Sequence, residues 1–379
     1  MDATESRMAP IVDLQVPLFK VFMSPNVDDE LLRVLHSGYI TEGPKVKEFE
    51  KALTKFIGTN ALTVNSGTSA LTLALRLAGV GPGDEVISTP MTCQATNVPI
   101  MTTGAKIVWA DIDPRTGLID PDSIAKRITS KTKVVMTVDW GGAPCDYAAI
   151  WNIIKHKGIS IIEDAAHALG STYMGEPVGT IADYTCFSFQ AIKHLTTVDG
   201  GALTFVDADD FARARKLRWF GIDREAEVKE FRGEVDVEEW GYKFHMNDVN
   251  AIIGLANLQY TDQVIEYHRA AAKYYDEILD PTLYTNTNPS YLHESSHWLY
   301  TTLLPDARVR EEFKQHMKEK GIQVSQVHWR NDKLTTFKQF AEYNLPGVDE
   351  FANRMICIPV HWASQPARVA WAMNSFRAG

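Results

Sequence analysis

Between Phe56 and Val206 short apolar runs alternate with stretches of helical length. The runs at 61–64, 85–88, 106–110, 133–138, 159–162, 184–187 and 202–206 predict seven strands. Several are unbroken Val, Ile and Met sequences, the pattern of strands covered on both faces. Helices fit between them at 69–78, 121–128 and 147–157. Strand–helix repetition of this kind predicts an α/β domain with a mainly parallel sheet sandwiched by helices.

After Gly241 the texture changes. Residues 247–268 read as one long helix and 270–279 continue it. The apolar stretch 249–258, with Ile252, Ile253, Leu255, Ala256 and Leu258, fits a buried face. A Pro/Asn/Thr-rich stretch at 281–289 marks a plausible boundary. Beyond it the pattern predicts a strand at 299–304, a charged amphipathic helix at 308–320, a strand near 322–327 and a helical tail. The expected organisation is a large domain over 1–260, N-terminal segment included, and a small α+β domain over 261–379.

Composition changes this picture little. The chain has 379 residues, with 45% hydrophobic and 23% charged, ordinary values for a globular protein. The 38 basic and 48 acidic residues leave a net charge of -10, which argues against a nucleic-acid backbone as partner. The four cysteines, Cys93, Cys145, Cys186 and Cys357, are far apart and form no CxxC pair, so neither a zinc site nor a disulfide framework is expected. Reduced thiols in a cytosolic protein are the simpler reading. The opening MDATESRMAP lacks the regions of a signal peptide, and no apolar run has the length of a membrane span. A cytoplasmic chain is expected.

Candidate chemistry gathers at three segments. In Val64-Asn65-Ser66-Gly67-Thr68-Ser69-Ala70-Leu71 a strand runs into a helix, so Gly67, Thr68 and Ser69 lie at a helix N-terminus that favours an anion. The same segment is also an ordinary helix start capped by Ser66 or Thr68. In Ile161-Ile162-Glu163-Asp164-Ala165-Ala166-His167, Asp164 follows a buried strand at the carboxyl edge of the sheet, where α/β folds bind ligands. It could pair with a protonated ring nitrogen or a metal, or simply cap the next helix. In the run from Phe187 to Gly201, Ser188, Lys193 and His194 occupy a loop closed by Gly200-Gly201. A lone lysine is usually a solvated surface group, but this neighbourhood suggests a tight loop against a ligand. Together the segments offer a phosphate cradle, a carboxylate for a pyridinium and an amine for an aldehyde, which is what pyridoxal 5′-phosphate requires.

The chain resembles the DegT-type nucleotide-sugar aminotransferases, a branch of the fold type I pyridoxal-phosphate enzymes. The resemblance runs through Ser37-Gly38-Tyr39-Ile40-Thr41-Glu42-Gly43-Pro44, Phe49-Glu50, the Ser66 segment, Gly81-Pro82-Gly83-Asp84-Glu85-Val86, the Glu163-Asp164 segment, the Lys193 loop and Gly241-Tyr242-Lys243-Phe244-His245-Met246. It implies that Lys193 holds the cofactor as a Schiff base and shuttles protons, and that Asp164 keeps the pyridine nitrogen protonated. His167 falls near the ring's phenolic oxygen. Gly67, Thr68, Ser69 and Ser188 match the phosphate contacts. Lys243, with His245 as second candidate, matches a contact reaching across a homodimer interface into the partner's site.

Three positions depart from the family pattern. Cys93 stands where an aromatic residue often stacks on the cofactor, Gln190 where Tyr or His is common, and Val198 where Gly is frequent. On the substrate side the resemblance points to Thr41, Gln190, His328 and Arg330, the last a bidentate grip for a diphosphate or carboxylate. Trp298 and Trp329 are candidates for stacking on a base. The implied reaction moves an amino group, from L-glutamate, to a nucleotide-linked keto-sugar. One alternative is a sugar dehydratase of the same family, in which His replaces the lysine. Another is a non-catalytic regulator that keeps the fold.

Overall fold

The computed structural model describes residues 16–224, 236–288, 293–340 and 343–377. The opening ten residues and Pro289 of the boundary stretch lie outside them. In chain order the strands are β1 (Ala61–Val64), β2 (Glu85–Ser88), β3 (Lys106–Trp109), β4 (Thr132–Val138), β5 (Ser160–Asp164), β6 (Thr172–Tyr173), β7 (Glu176–Pro177), β8 (Tyr184–Ser188), β9 (Gly201–Phe205), β10 (Thr285–Asn286), β11 (His293–Glu294), β12 (Tyr300–Leu303) and β13 (Met355–Ile358). The α-helices are α1 (Val27–Leu35), α2 (Pro44–Ile57), α3 (Gly67–Leu77), α4 (Gln94–Thr102), α5 (Pro121–Arg127), α6 (Tyr147–Ile154), α7 (Ala208–Leu217), α8 (Asp248–Leu258), α9 (Thr261–Ile278), α10 (Ala307–Glu319), α11 (Pro346–Arg354) and α12 (Pro366–Asn374).

The central sheet has seven strands in the order β1-β9-β8-β5-β4-β2-β3. All run parallel except β9, which is antiparallel to both β8 and β1. The predicted apolar runs match these strands to within two residues at each end, because strands such as β2, β8 and β9 are buried along nearly their whole length. A second sheet, β10-β12-β13, is antiparallel and packs with α9, α10 and α12 around Tyr275, Phe313, Ile356 and Met373.

Several elements differ from expectation. The long helix over 247–268 is two helices, α8 ending at Leu258 and α9 starting at Thr261, with Tyr260 (φ -112°, ψ 0°) at the joint. The segment 322–327 forms isolated bridges, Ile322 with Val16 and Ser325 with Cys357, in place of a strand. The tail is interrupted by β13. Four helices were not anticipated. Among them α4 is masked by an internal Pro99, which reads as a helix breaker. The apolar face of α8 is covered within the same chain: Ile253 and Ala256 pack with Val27 of α1, and Ala251 with Val46 and Phe49 of α2.

Two close approaches position the sheet edge. A Cβ on Gly201 would lie 2.6 Å from the Phe187 carbonyl oxygen and 2.7 Å from the Gly67 nitrogen, so only glycine lets β9 cross beneath the start of α3. One on Gly67 would meet the Ser188 Cβ at 2.9 Å. Nearby, Val198 sits at φ 71°, a left-handed conformation that disfavours a β-branched residue. That is a physical reason for glycine at this position in similar chains.

This strain is measurable. Val198→Gly is expected to be more stable than Val198→Ala by about 1 kcal/mol, the alanine variant controlling for the lost side chain. Urea midpoints read the difference, and equal midpoints would show that the backbone is relaxed at this position.

Candidate active site

The carboxyl edge of the sheet opens into a cavity of about 480 Å3. Gly67, Thr68, Cys93, Asp164, His167, Ser188, Gln190, Lys193 and His328 all line it. They come from the start of α3, the loop before α4, the ends of β5 and β8, the loop after β8, and the segment beyond α10. A wider groove of about 700 Å3 opens between α2 and α8, but its wall is largely apolar and holds no such convergence.

The α3 N-terminus serves both as a capped helix and as a cradle. Ser66 is the cap, its hydroxyl accepting from the Ser69 N–H at 3.1 Å. Gly67 and Thr68 precede the helix's own acceptors and border the cavity, leaving their N–H groups for an anion. Ser69 is a correction: its amide is consumed by the cap, and its hydroxyl donates to Asn65 Oδ1 at 2.6 Å.

Asp164 ends β5 and is buried. Its Oδ2 accepts from Thr96 Oγ1 at 2.6 Å and its Oδ1 from the Ala166 N–H at 3.1 Å. Burial pushes the carboxyl up from its ordinary range, while Thr96, the Ala166 amide and the Lys193 charge pull it back. Thr96 was not among the expected site residues. Its trace in the sequence is its place four residues after Thr92, which precedes α4, and the two hydroxyls bond at 2.8 Å.

Lys193 sits in a loop folded onto itself and braced by α8. Phe189 N–H donates to the Gly200 carbonyl at 2.8 Å, and Thr197 N–H to the Phe189 carbonyl at 2.9 Å. From α8, Asn257 Nδ2 donates to the Thr196 carbonyl at 2.9 Å and Asn250 Nδ2 to the Asp199 carbonyl at 2.8 Å. The amine lies 3.5 Å from the centre of the Trp298 ring. Burial brings its pKa down to about 7, with Asp164 and Cys93 opposing the fall. His194 turns aside instead, edge-on to His268 at 4.4 Å.

His167 stacks on Trp298 at 3.9 Å and is held neutral by burial and by the charges of Lys193 and its histidine neighbours. His328, half-buried, is brought down to about 4 by burial. Gln190 is exposed at the rim, its Oε1 accepting from the Ile192 N–H at 3.1 Å.

Other expected residues lie outside the cavity lining. Arg330 does not line the cavity: its guanidinium chelates Asp332 through two bonds of 2.7 Å and pairs with Asp349. Lys243 is exposed, over the Trp219 ring at 5.8 Å, and Thr41 bonds His245 at 3.4 Å. Trp329 is exposed. Sequence reasoning did not place Phe19, Asp199, Gln323 or Ser325 at the site, though all border the cavity.

The donor set fits pyridoxal phosphate: an anion cradle, a buried carboxylate and an amine of lowered pKa face one space. Among the described residues no group of His, Cys, Asp and Glu is arranged to hold a metal ion, and no helix is long and apolar enough to cross a membrane.

Fold and site thus define a fold type I pyridoxal-phosphate enzyme. The sequence model of the DegT/DnrJ/EryC1/StrS aminotransferase family matches residues 23–377, and the chain belongs to that family. It is similar to the sugar aminotransferase CalS13 from Micromonospora echinospora, with a TM-score of 0.90 and 36% identity over 95% of this chain and 100% of that one. Spr1654 from Streptococcus pneumoniae, solved in its PMP form, gives a TM-score of 0.88 at 31% identity, over 95% of this chain and 97% of that one. A protein of Saccharopolyspora spinosa named dTDP-4-dehydro-2,3,6-trideoxy-D-glucose 4-aminotransferase is 31% identical over 361 residues, 92% of each chain.

Behind Asp164, on the other face of the sheet, Thr137, Glu163 and Thr185 stand in register. Glu163 and Asp139 form a buried carboxyl pair, held by Thr185 Oγ1 at 2.6 Å and Tyr147 OH at 2.8 Å. Their remaining oxygens, Asp139 Oδ2 and Glu163 Oε1, are buried without a hydrogen-bond partner among the described residues. Burial raises both carboxyls above their ordinary values. The folded chain therefore holds protons that the unfolded chain releases first as pH rises, so stability is greatest at low pH and falls through the raised values. Glu163→Gln, which cannot ionise, should lose less stability than wild type as pH rises above the ordinary carboxylate range. Denaturation curves across that rise test this, and parallel pH dependences would contradict it.

Proposed function

We propose that the protein transfers an amino group, from L-glutamate, to the carbonyl carbon of a keto-sugar carried on a nucleotide. The observation that carries this reading is the Lys193 amine, lowered to about 7, in one cavity with buried Asp164 and the open start of α3. The family supports transamination, and the names of CalS13 and of the S. spinosa relative support a sugar, in the latter a nucleotide-linked one. Glutamate follows from the family resemblance. Lys193, and not His194, faces the cavity, which favours amino transfer over dehydration.

When bound, pyridoxal phosphate supplies the aldehyde that takes up the amino group and a ring that accepts electrons. The Gly67 and Thr68 amides and the Ser188 hydroxyl bind its phosphate. The Asp164 carboxylate holds a proton on the ring nitrogen, with Thr96 fixing its orientation. Neutral His167 would be placed to face the ring's phenolic oxygen, and Cys93 would pack on the ring as a small polarizable group. The Lys193 amine would hold the aldehyde carbon and, when free, move a proton at the substrate carbon. Gln190 and His328 border the path of the sugar.

Borohydride reduction of the yellow protein is expected to fix the cofactor on Lys193, and Lys193→Ala should fold without the covalent link or turnover. Peptide mapping that placed the reduced cofactor on another lysine would end this reading.

We further propose a homodimer with shared sites. Lys243 lies outside its own chain's cavity, and Tyr39, Ile40 and Val198 expose large apolar surface, suited to a two-fold interface. Lys243→Ala should weaken cofactor binding. Mixed with Lys193→Ala as heterodimers, it should restore part of the activity, because one site per pair is then intact. Verified heterodimers without activity would exclude the shared site.

A further inference from the structure

We infer that Trp298 is a positioning residue, whose indole face gives the Lys193 amine its resting place whenever that amine is free. The inference rests on the reading of Lys193 as the cofactor-binding lysine.

The ring is buried in the cavity wall just before β12. Its Nε1 donates to the Ile192 carbonyl at 2.8 Å, the peptide oxygen immediately before Lys193. It stacks on His167 at 3.9 Å and on Phe19 at 5.0 Å, each at an interplanar angle of 22°. The ring that meets the amine is thus tied to the backbone of the same loop, so indole and lysine keep their relative place. The amine stands 3.5 Å from the ring centre, well inside the roughly 6 Å over which a cation is drawn to an aromatic face.

The groups that face this amine are Asp164 on β5, Cys93 ahead of α4, His167 and His328, while the adjacent His194 feels its charge but is turned toward His268. Asp164 alone could hold it strongly. A lysine collapsed onto that carboxylate would keep its proton and compete with the ring nitrogen for the same acid. Thr96 and the Ala166 amide instead fix the direction of the Asp164 oxygens, and the amine stands over the indole. An indole face attracts an ammonium moderately, accepts no proton and forms no covalent bond. It therefore holds the amine near the reacting carbon and lets it go.

The test uses the full-length chain freed of cofactor. Arylation of Lys193 by trinitrobenzenesulfonate, quantified by peptide mass mapping, is followed against pH. The wild-type half-point is expected near about 7. Trp298→Leu keeps apolar bulk and removes the aromatic face, so the cation loses support and the half-point falls by about 0.5–1 pH unit. Trp298→Phe, with a weaker face, falls by less. A purely structural role would lower melting temperatures without ordering the half-points Trp, Phe, Leu. A leucine variant whose half-point is unchanged or raised overturns the inference. If that variant does not fold, the phenylalanine variant decides by the same criterion. The borohydride experiment is independent of this titration. Failed mapping with a Trp298-dependent half-point removes the functional reading alone, and the converse removes this inference alone.

Discussion

A lysine amine and an aspartate carboxylate share one enclosed cavity, and most of the molecule is arranged to keep them there without letting them neutralise each other. Burial disfavours the charged form of each, lowering Lys193 and raising Asp164. Hydrogen bonds from Thr96 and the Ala166 amide restore part of the carboxylate character of Asp164. The lysine receives the weaker support of an aromatic face. The outcome is an amine close to its neutral form beside an acid fixed in direction, two properties that a solvated pair would not have.

The scaffold supplies this by geometry at the sheet edge. β5 delivers Asp164, β8 delivers Ser188, and the loop between β8 and β9 carries Lys193 back over them. Glycine at 67 and 201 lets α3 come within contact of these strands, so that free amides reach the same space. From behind, α8 pins the loop through Asn250 and Asn257, while its own apolar face is spent on α1 and α2. Electrostatics extend through the sheet as well. The Glu163 carboxyl lies one residue from Asp164 on the opposite face, where it pairs with Asp139 and burial raises both.

Much of this was legible along the chain. Strands covered on both faces favour continuous apolar runs, so β3, β4 and β5, with their Ile-Val-Trp, Val-Val-Met and Ile-Ile cores, could be found from hydrophobicity. The order of short motifs around Ser66, Asp164 and Lys193 pointed to one kind of cofactor before any geometry was known. Local signals were weaker where local preference and tertiary need disagree. α4 forms around Pro99, and Tyr260 breaks a pattern that reads as one helix.

Residue identity and periodicity, which act over a few positions, determined the α/β alternation, the capped anion cradle and the candidate lysine and acid. Contacts between distant segments were left to the tertiary structure. Thr96 reaches Asp164 across 68 positions, and Trp298 reaches the Ile192 carbonyl across 106. No periodicity encodes such pairs. The same holds for Arg330, whose type suits an anionic substrate but whose folded neighbours Asp332 and Asp349 occupy its guanidinium. A side chain's chemistry is set by its sequence, whereas the partner that uses that chemistry is chosen only when packing decides which groups are brought within about 3 Å of each other.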